Sequence, residues 1–128
     1  MLEISGSRSD DMSHHLSQVK VLLENIVNAM SEEDKSAFVS QIATISNLTG
    51  NLAFISFEVD KSRTTPVPSA PNPLPNRPDV YSADGSSYGQ IMAWVDDEGY
   101  LDSLEYTWWF LATPPGLPTL ENLRTPQG

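Results

Sequence analysis

Residues 88–110 read YGQIMAWVDDEGYLDSLEYTWWF, and how this stretch folds decides the architecture of the chain. Tyr88 to Val95 is a mostly apolar run of strand length. Its two alternating faces, Tyr88, Gln90, Met92, Trp94 and Gly89, Ile91, Ala93, Val95, are both largely apolar, which predicts a central strand. Asp96-Asp97-Glu98-Gly99 then supplies a four-residue hairpin loop with Gly99 available for a positive φ. Tyr100 to Leu111 returns as the antiparallel partner. The apolar spacing Leu101, Leu104, Tyr106 switches parity at Asp102-Ser103, which is the mark of a β-bulge.

Upstream, Ala53 to Asp60 alternates apolar Ala53, Ile55, Phe57 and Val59 with polar Ser56, Glu58 and Asp60, the period of a strand with one wet face. Residues 61–78 carry six prolines and so lack the amide donors a central strand needs; they are expected to form a long extended loop around the domain. Asn47 to Asn51, containing Gly50, has the turn residues that stop a helix. That helix is predicted from Glu32 to about Ser46, capped by Ser31, with Glu32, Glu33 and Asp34 in its first turn and Phe38, Ile42 and Ile45 buried. An earlier helix is predicted from Ser13, where Leu16, Val19, Leu22, Leu23, Ile26, Val27 and Met30 recur on one face. Residues 1–12 show no periodicity and read as a flexible leader, with Met12 an alternative start. Asp84-Gly85 offers a tight turn, and Thr113 to Leu120 is a proline-rich tail whose leucines are expected to pack back on the body. The expected fold is α+β: an N-terminal amphipathic helix pair packed on a small antiparallel sheet of three or more strands. It forms a single domain over residues 13–128 with a Pro-rich loop at 61–78.

The 128 residues suffice for one core. Seventeen Asp and Glu against seven Lys and Arg give a net charge of −10, a field that repels phosphate and anionic lipid and attracts basic partners. Direct nucleic-acid binding is therefore not expected. No run approaches the ~20 apolar residues a membrane span needs, and no secretory leader opens the chain, so a cytoplasmic protein is expected. The absence of cysteine excludes disulfides, thiol catalysis and thiolate metal sites.

Motifs for chemistry are thin. Gly85-Ser86-Ser87-Tyr88-Gly89 matches the GxSxG pattern of a nucleophile elbow, but it precedes a strand rather than a helix, and the histidines lie upstream of it. His14 and His15 project about 100° apart on a helix, so only one would face a given ion. Asp96-Asp97-Glu98 lacks the alternating ligands of a calcium loop. Asp102 with Glu105, or Glu58 with Asp60, supplies the carboxylate types of a glycosidase without a sugar-binding context. Neither a catalytic group, a metal site nor a cofactor is predicted.

Charge distribution is more informative. Between Arg77 and Arg124 there is no Lys or Arg, while eight carboxylates fall in that interval, so the hairpin is the electronegative end. Six aromatic residues, Trp94, Tyr100, Tyr106, Trp108, Trp109 and Phe110, are interleaved with them, the composition of a protein-binding hot spot. Trp108 and Trp109 must point to opposite faces of a strand, so at least one serves the core.

A helical N-terminal half, one strand, a proline-containing loop and a hairpin ending in Gly99-Tyr100-Leu101-Asp102-Ser103-Leu104-Glu105, with Pro114-Pro115-Gly116-Leu117-Pro118 beyond it, resemble small bacterial immunity proteins of polymorphic toxin and contact-dependent growth inhibition systems. The resemblance covers about a quarter of the chain and implies a non-enzymatic inhibitor that binds a cognate basic toxin domain, commonly a nuclease. The charge leads independently to a basic partner, because an acidic patch can mimic a phosphate backbone and steer association. The expected contact residues are Asp96, Asp97, Glu98, Asp102 and Glu105, with Tyr106 and Trp108 as anchors. The alternatives are an adaptor or other protein-binding module, and a small hydrolase using paired carboxylates.

Overall fold

Val19, Leu22, Leu23, Ile26 and Val27 fall on one face of helix α1 (Ser9–Val27), and all five are buried in the core. The computed structural model of the chain describes residues 9–110 and 112–124. Helix α1 starts at Ser9, before the predicted start at Ser13. Residues 9–12 are thus helix rather than leader, and the rest of the expected leader, residues 1–8, lies outside the described residues. Apolar spacing begins only at Leu16 and is silent about a polar first turn.

Helix α2 (Glu32–Thr44) opens as expected: the Ser31 hydroxyl accepts from the Asp34 amide at 3.3 Å, and Glu32, Glu33 and Asp34 occupy the first turn. Phe38, Ile42 and Ile45 are buried. So is Gln41, on the same face, whose carboxamide ties three segments together. Its Nε2 donates to the Thr65 carbonyl at 2.8 Å and the Gly99 carbonyl at 3.4 Å, and its Oε1 accepts from the Leu101 amide at 2.8 Å.

Six strands form one antiparallel sheet in the order β1-β2-β5-β4-β3-β6: β1 (Leu48–Asn51), β2 (Phe54–Phe57), β3 (Asp79–Tyr81), β4 (Ser87–Val95), β5 (Leu101–Trp108) and β6 (Leu123–Arg124). The α+β class and the N-terminal helix pair are as expected. The segment read as a helix-stopping turn, Asn47–Asn51, is instead largely strand β1, paired with β2 from Leu48↔Phe57 to Asn51↔Phe54. Gly50 hides this strand from propensity. At φ 109° it accepts a backbone conformation closed to other residues, and a Cβ there would come within 2.3 Å of the Phe54 carbonyl oxygen.

The central hairpin β4-β5 forms as predicted, and its register shifts where the parity switch placed a bulge. Trp94 pairs with Ser103 but Val95 pairs with Leu101, leaving Asp102 over. The shift returns Leu101 to the face of Leu104 and Tyr106. On that face Ile55, Ile91, Ala93 and Val95 meet the apolar sides of both helices in one core. Each fully buried Leu or Ile contributes roughly 1.5–3 kcal/mol, so this contact outweighs any exposed ion pair at about 0–1 kcal/mol.

The second half of the Pro-rich segment, residues 72–78, runs along the outer edge of β4 beyond the reach of β3. Leu74 N–H donates to the Ala93 carbonyl at 2.9 Å and Ile91 N–H to the Pro78 carbonyl at 3.1 Å. Where the backbone cannot serve, Asn72 does: its Nδ2 donates to the Val95 carbonyl at 2.8 Å and its Oδ1 accepts from the Val95 amide at 3.1 Å. Asn76, from the same loop, donates to the Asn25 and Ile26 carbonyls, which the end of α1 leaves without helical partners. The tail packs back through Leu117 and Leu123, whereas Leu120 stays exposed.

Replacing Gln41 by Leu strands the buried Leu101 amide and the Thr65 carbonyl, and is expected to cost about 2–4 kcal/mol in urea unfolding. Gly99→Ala, at φ 101° with its Cβ 2.4 Å from Val67 backbone atoms, should destabilise by at least a comparable ~2 kcal/mol.

Candidate functional site

The hairpin tip is built around one carboxylate. Asp96 Oδ1 accepts from the amides of Glu98 at 2.9 Å, Gly99 at 3.0 Å and Tyr100 at 3.0 Å, while the Asp96 amide donates to the Tyr100 carbonyl at 2.8 Å. Burial raises the pKa of this carboxyl, but the Tyr100 amide, the Lys61 ammonium and the Glu98 amide outweigh it and hold the group below the usual carboxylate range. Lys61, arriving from the Pro-rich segment, lies 3.0 Å from Asp96 Oδ2 and 2.8 Å from Glu98 Oε1, with its ammonium 5.0 Å from the Tyr100 ring centroid. The Glu98 carboxylate first, and Asp96 second, push the Lys61 pKa upward.

Two of the expected contact residues are thereby occupied. Asp96 shapes the turn and Glu98 is paired, so the absence of basic residues within 78–123 does not leave the tip uncompensated. Asp97 and Asp102 are exposed and have no ion pair or side-chain hydrogen bond among the described residues. Asp102, the bulge residue, borders an open depression of about 470 Å³ together with Glu58, Asp60, Lys61 and Asp96, and a second of about 740 Å³ on the Glu58 and Arg63 side. Within that rim Asp60 is bound locally. Its carboxylate accepts from the Ser62 hydroxyl at 2.6 Å and lies 3.7 Å from Arg63, and its pKa is lowered chiefly by the Ser62 hydroxyl.

Glu105 lies elsewhere, on the sheet face turned away from the helices. It pairs in register with Phe54 on β2 and Met92 on β4. Its Oε1 accepts from Trp94 Nε1 at 3.0 Å and its Oε2 from the Thr107 hydroxyl at 3.2 Å. Tyr106, expected as an anchor, faces the opposite way. At 4% exposure its ring is in the core, 5.3 Å from the Trp108 ring in an edge-on arrangement, and burial, with Tyr88 adding to it, pushes its pKa up to about 12. Trp108 is half-buried against the same core, so the two rings expected as anchors fill the helix side of the sheet. The exposed aromatics are Phe54, Trp109 and Phe110. Phe54 holds an even position of β2, the parity of Ser56 and Glu58, and that parity is the signal in the sequence that turns its ring outward.

Ser87 of the GxSxG match accepts from Trp109 Nε1 at 3.0 Å. Beside it, Asp84 accepts from the hydroxyls of Ser82 and Ser86 and from the Ser86 amide, lowering its pKa to about 2, with the Ser82 hydroxyl the largest cause. Among the described residues no group of three or more His, Asp or Glu side chains is arranged to hold a metal ion, and no helix is long and apolar enough to cross a membrane. No protein-family model, curated protein or solved structure matches the chain.

Asp96 and Asp84 have folded pKa values below their unfolded ones. Their stabilisation is present above the unfolded carboxylate value near ~4 and is lost as pH falls through the folded values, down to about 2 for Asp84. Urea midpoints measured against pH should fall below about pH 4. Asp96→Asn, which keeps the Oδ1 acceptor, should show a shallower fall over the same range.

Proposed function

We propose that this chain is an immunity protein: a non-catalytic inhibitor that binds a cognate basic toxin domain, such as a nuclease, in the cytoplasm and covers its active site or substrate path. The observation that carries this reading is the pair of exposed carboxylates, Asp97 and Asp102, which flank the hairpin tip without compensation among the described residues in a chain of net charge −10. Charges left uncompensated at a surface do little for stability, but they steer a basic partner and raise its association rate. The backbone of the tip, fixed by Asp96 and by the Gln41 contacts below it, carries them at set positions, so binding need not order the loop. A second reading, an adaptor that binds another protein without neutralising it, is favoured by the exposed Phe54 ring on the helix-free face.

Calorimetry with the toxin domain encoded beside this gene separates the two. A one-to-one complex that abolishes toxin activity is expected, and no complex, or a complex that leaves the toxin active, overturns the inhibitor reading. Exchanging both Asp97 and Asp102 for Lys should slow association by about tenfold at low salt and flatten its salt dependence, with little change in dissociation.

A further inference from the structure

We infer that the helix-free face of the sheet carries a recognition site for an arginine side chain presented by a basic protein partner, centred on Glu105 between Phe54 and Met92. The inference deepens the proposed function, on which it rests for the partner being a basic protein, by naming the group that this surface receives.

Both helices pack on the opposite face, so this one has no covering layer among the described elements, and Phe54 on the interior strand β2 remains 44% exposed. In the middle of that face the register brings Phe54, Glu105 and Met92 into one cross-strand row, with Trp94 on the neighbouring row. The carboxylate is oriented before any partner arrives. Trp94 Nε1 holds Oε1 and the Thr107 hydroxyl holds Oε2, one bond to each oxygen. A carboxylate offers about four acceptor positions, so each oxygen keeps one for an incoming donor.

What such a group lacks is a cation. Glu105 forms no ion pair among the described residues: Arg77 lies beside Met92 at the border of this face, where its carbonyl accepts from Gln90 Nε2 at 3.4 Å, but its guanidinium is not paired with Glu105. Arg124 reaches the same face through its register opposite Asp79, but its guanidinium lies over the Tyr81 ring and donates to the Glu121 and Leu123 carbonyls. A second copy of the chain is a poor occupant, since a two-fold contact here would bring Glu105 toward Glu105 in a molecule already at −10. A guanidinium fits on three counts: it is planar, it donates two parallel bonds to a carboxylate, and it stacks on aromatic faces such as Phe54 and Trp94. An ammonium pairs its charge and can lie over a ring, but it has no planar fork to donate two parallel bonds to one carboxylate while stacking on an aromatic face.

The test is ¹⁵N NMR titration of the full chain at low ionic strength with an alternating arginine–glycine peptide, and in parallel with its lysine and citrulline counterparts. The expected result is a saturable shift of the Trp94 indole N–H and the Phe54 and Glu105 amides. Binding should weaken by about tenfold for the lysine peptide and for Glu105→Gln, and be lost with citrulline. Unchanged Ile91 and Leu104 amides report that the variant is folded. The inference is overturned if the shifts fall on Asp97 and Asp102 instead, if lysine binds as well as arginine, if Glu105→Gln leaves the affinity unaltered, or if sedimentation shows this face buried between copies. The two proposals fail separately. A toxin that binds Glu105→Gln as tightly as the wild type removes this site and leaves the inhibitor reading, whereas arginine binding without toxin binding does the reverse.

Discussion

The carboxamide of Gln41 is the point through which the helices, the Pro-rich segment and the central hairpin are held in one arrangement. It is fully buried, and each of its polar atoms meets a backbone group that has no ladder partner at that place: the Thr65 and Gly99 carbonyls and the Leu101 amide. Apolar burial would hold α2 against the sheet in many orientations. A neutral donor–acceptor pair inside the core permits one, because any slip leaves polar atoms dry and unpaired. The position of Gly99 follows from it, with the Gly99 carbonyl also accepting from the Val67 amide, and so does the approach of the chain that carries Lys61 to the tip.

The surface chemistry follows from this geometry. Lys61 is far from the hairpin in sequence but adjacent to it in space, so the acidic run divides into three groups with different work. Asp96 closes the turn, Glu98 is paired, and Asp97 and Asp102 face water. Glu105 belongs to none of these, since the bulge at Asp102 sets its row apart from the tip and places it on the open sheet face. What reads as one acidic patch along the chain is two surfaces in the folded molecule, one with exposed carboxylates at the hairpin tip and one with a single carboxylate oriented by Trp94 and Thr107.

Much of the architecture was legible in period and punctuation. The stripe of α1, the Ser31 cap, the β4-β5 hairpin and its bulge all follow from spacing that reflects burial. Strand β1 was not legible, because Thr49, Gly50 and Asn51 are turn residues by propensity and become strand only through pairing with β2. Strands β3 and β6 are three and two residues long, too short to show a period. At the site, a carboxylate that accepts three amides and one that faces solvent are the same letter in the sequence. Their difference lies in Lys61 and in the turn, which only the fold brings near. Tyr106 and Trp108 illustrate the converse, since they share the parity of Leu104, and that alternation, not their acidic neighbourhood, places their rings against the core.

The loop along β4 also bears on how the molecule avoids its own kind. A sheet presents unpaired amides and carbonyls wherever a strand lacks a neighbour, and long flat edges of that kind template fibrils. Here Asn72, Leu74 and Pro78 consume those groups on the longest strand, and the prolines around them offer no continuing ladder to an incoming chain. The outermost strands that remain are β1, four residues long and kinked at Gly50, and β6, two residues long. Among the described residues, the helix-free face has no covering element, but the borders of the sheet offer only short stretches of free backbone, so contact with another chain there falls mainly on side chains.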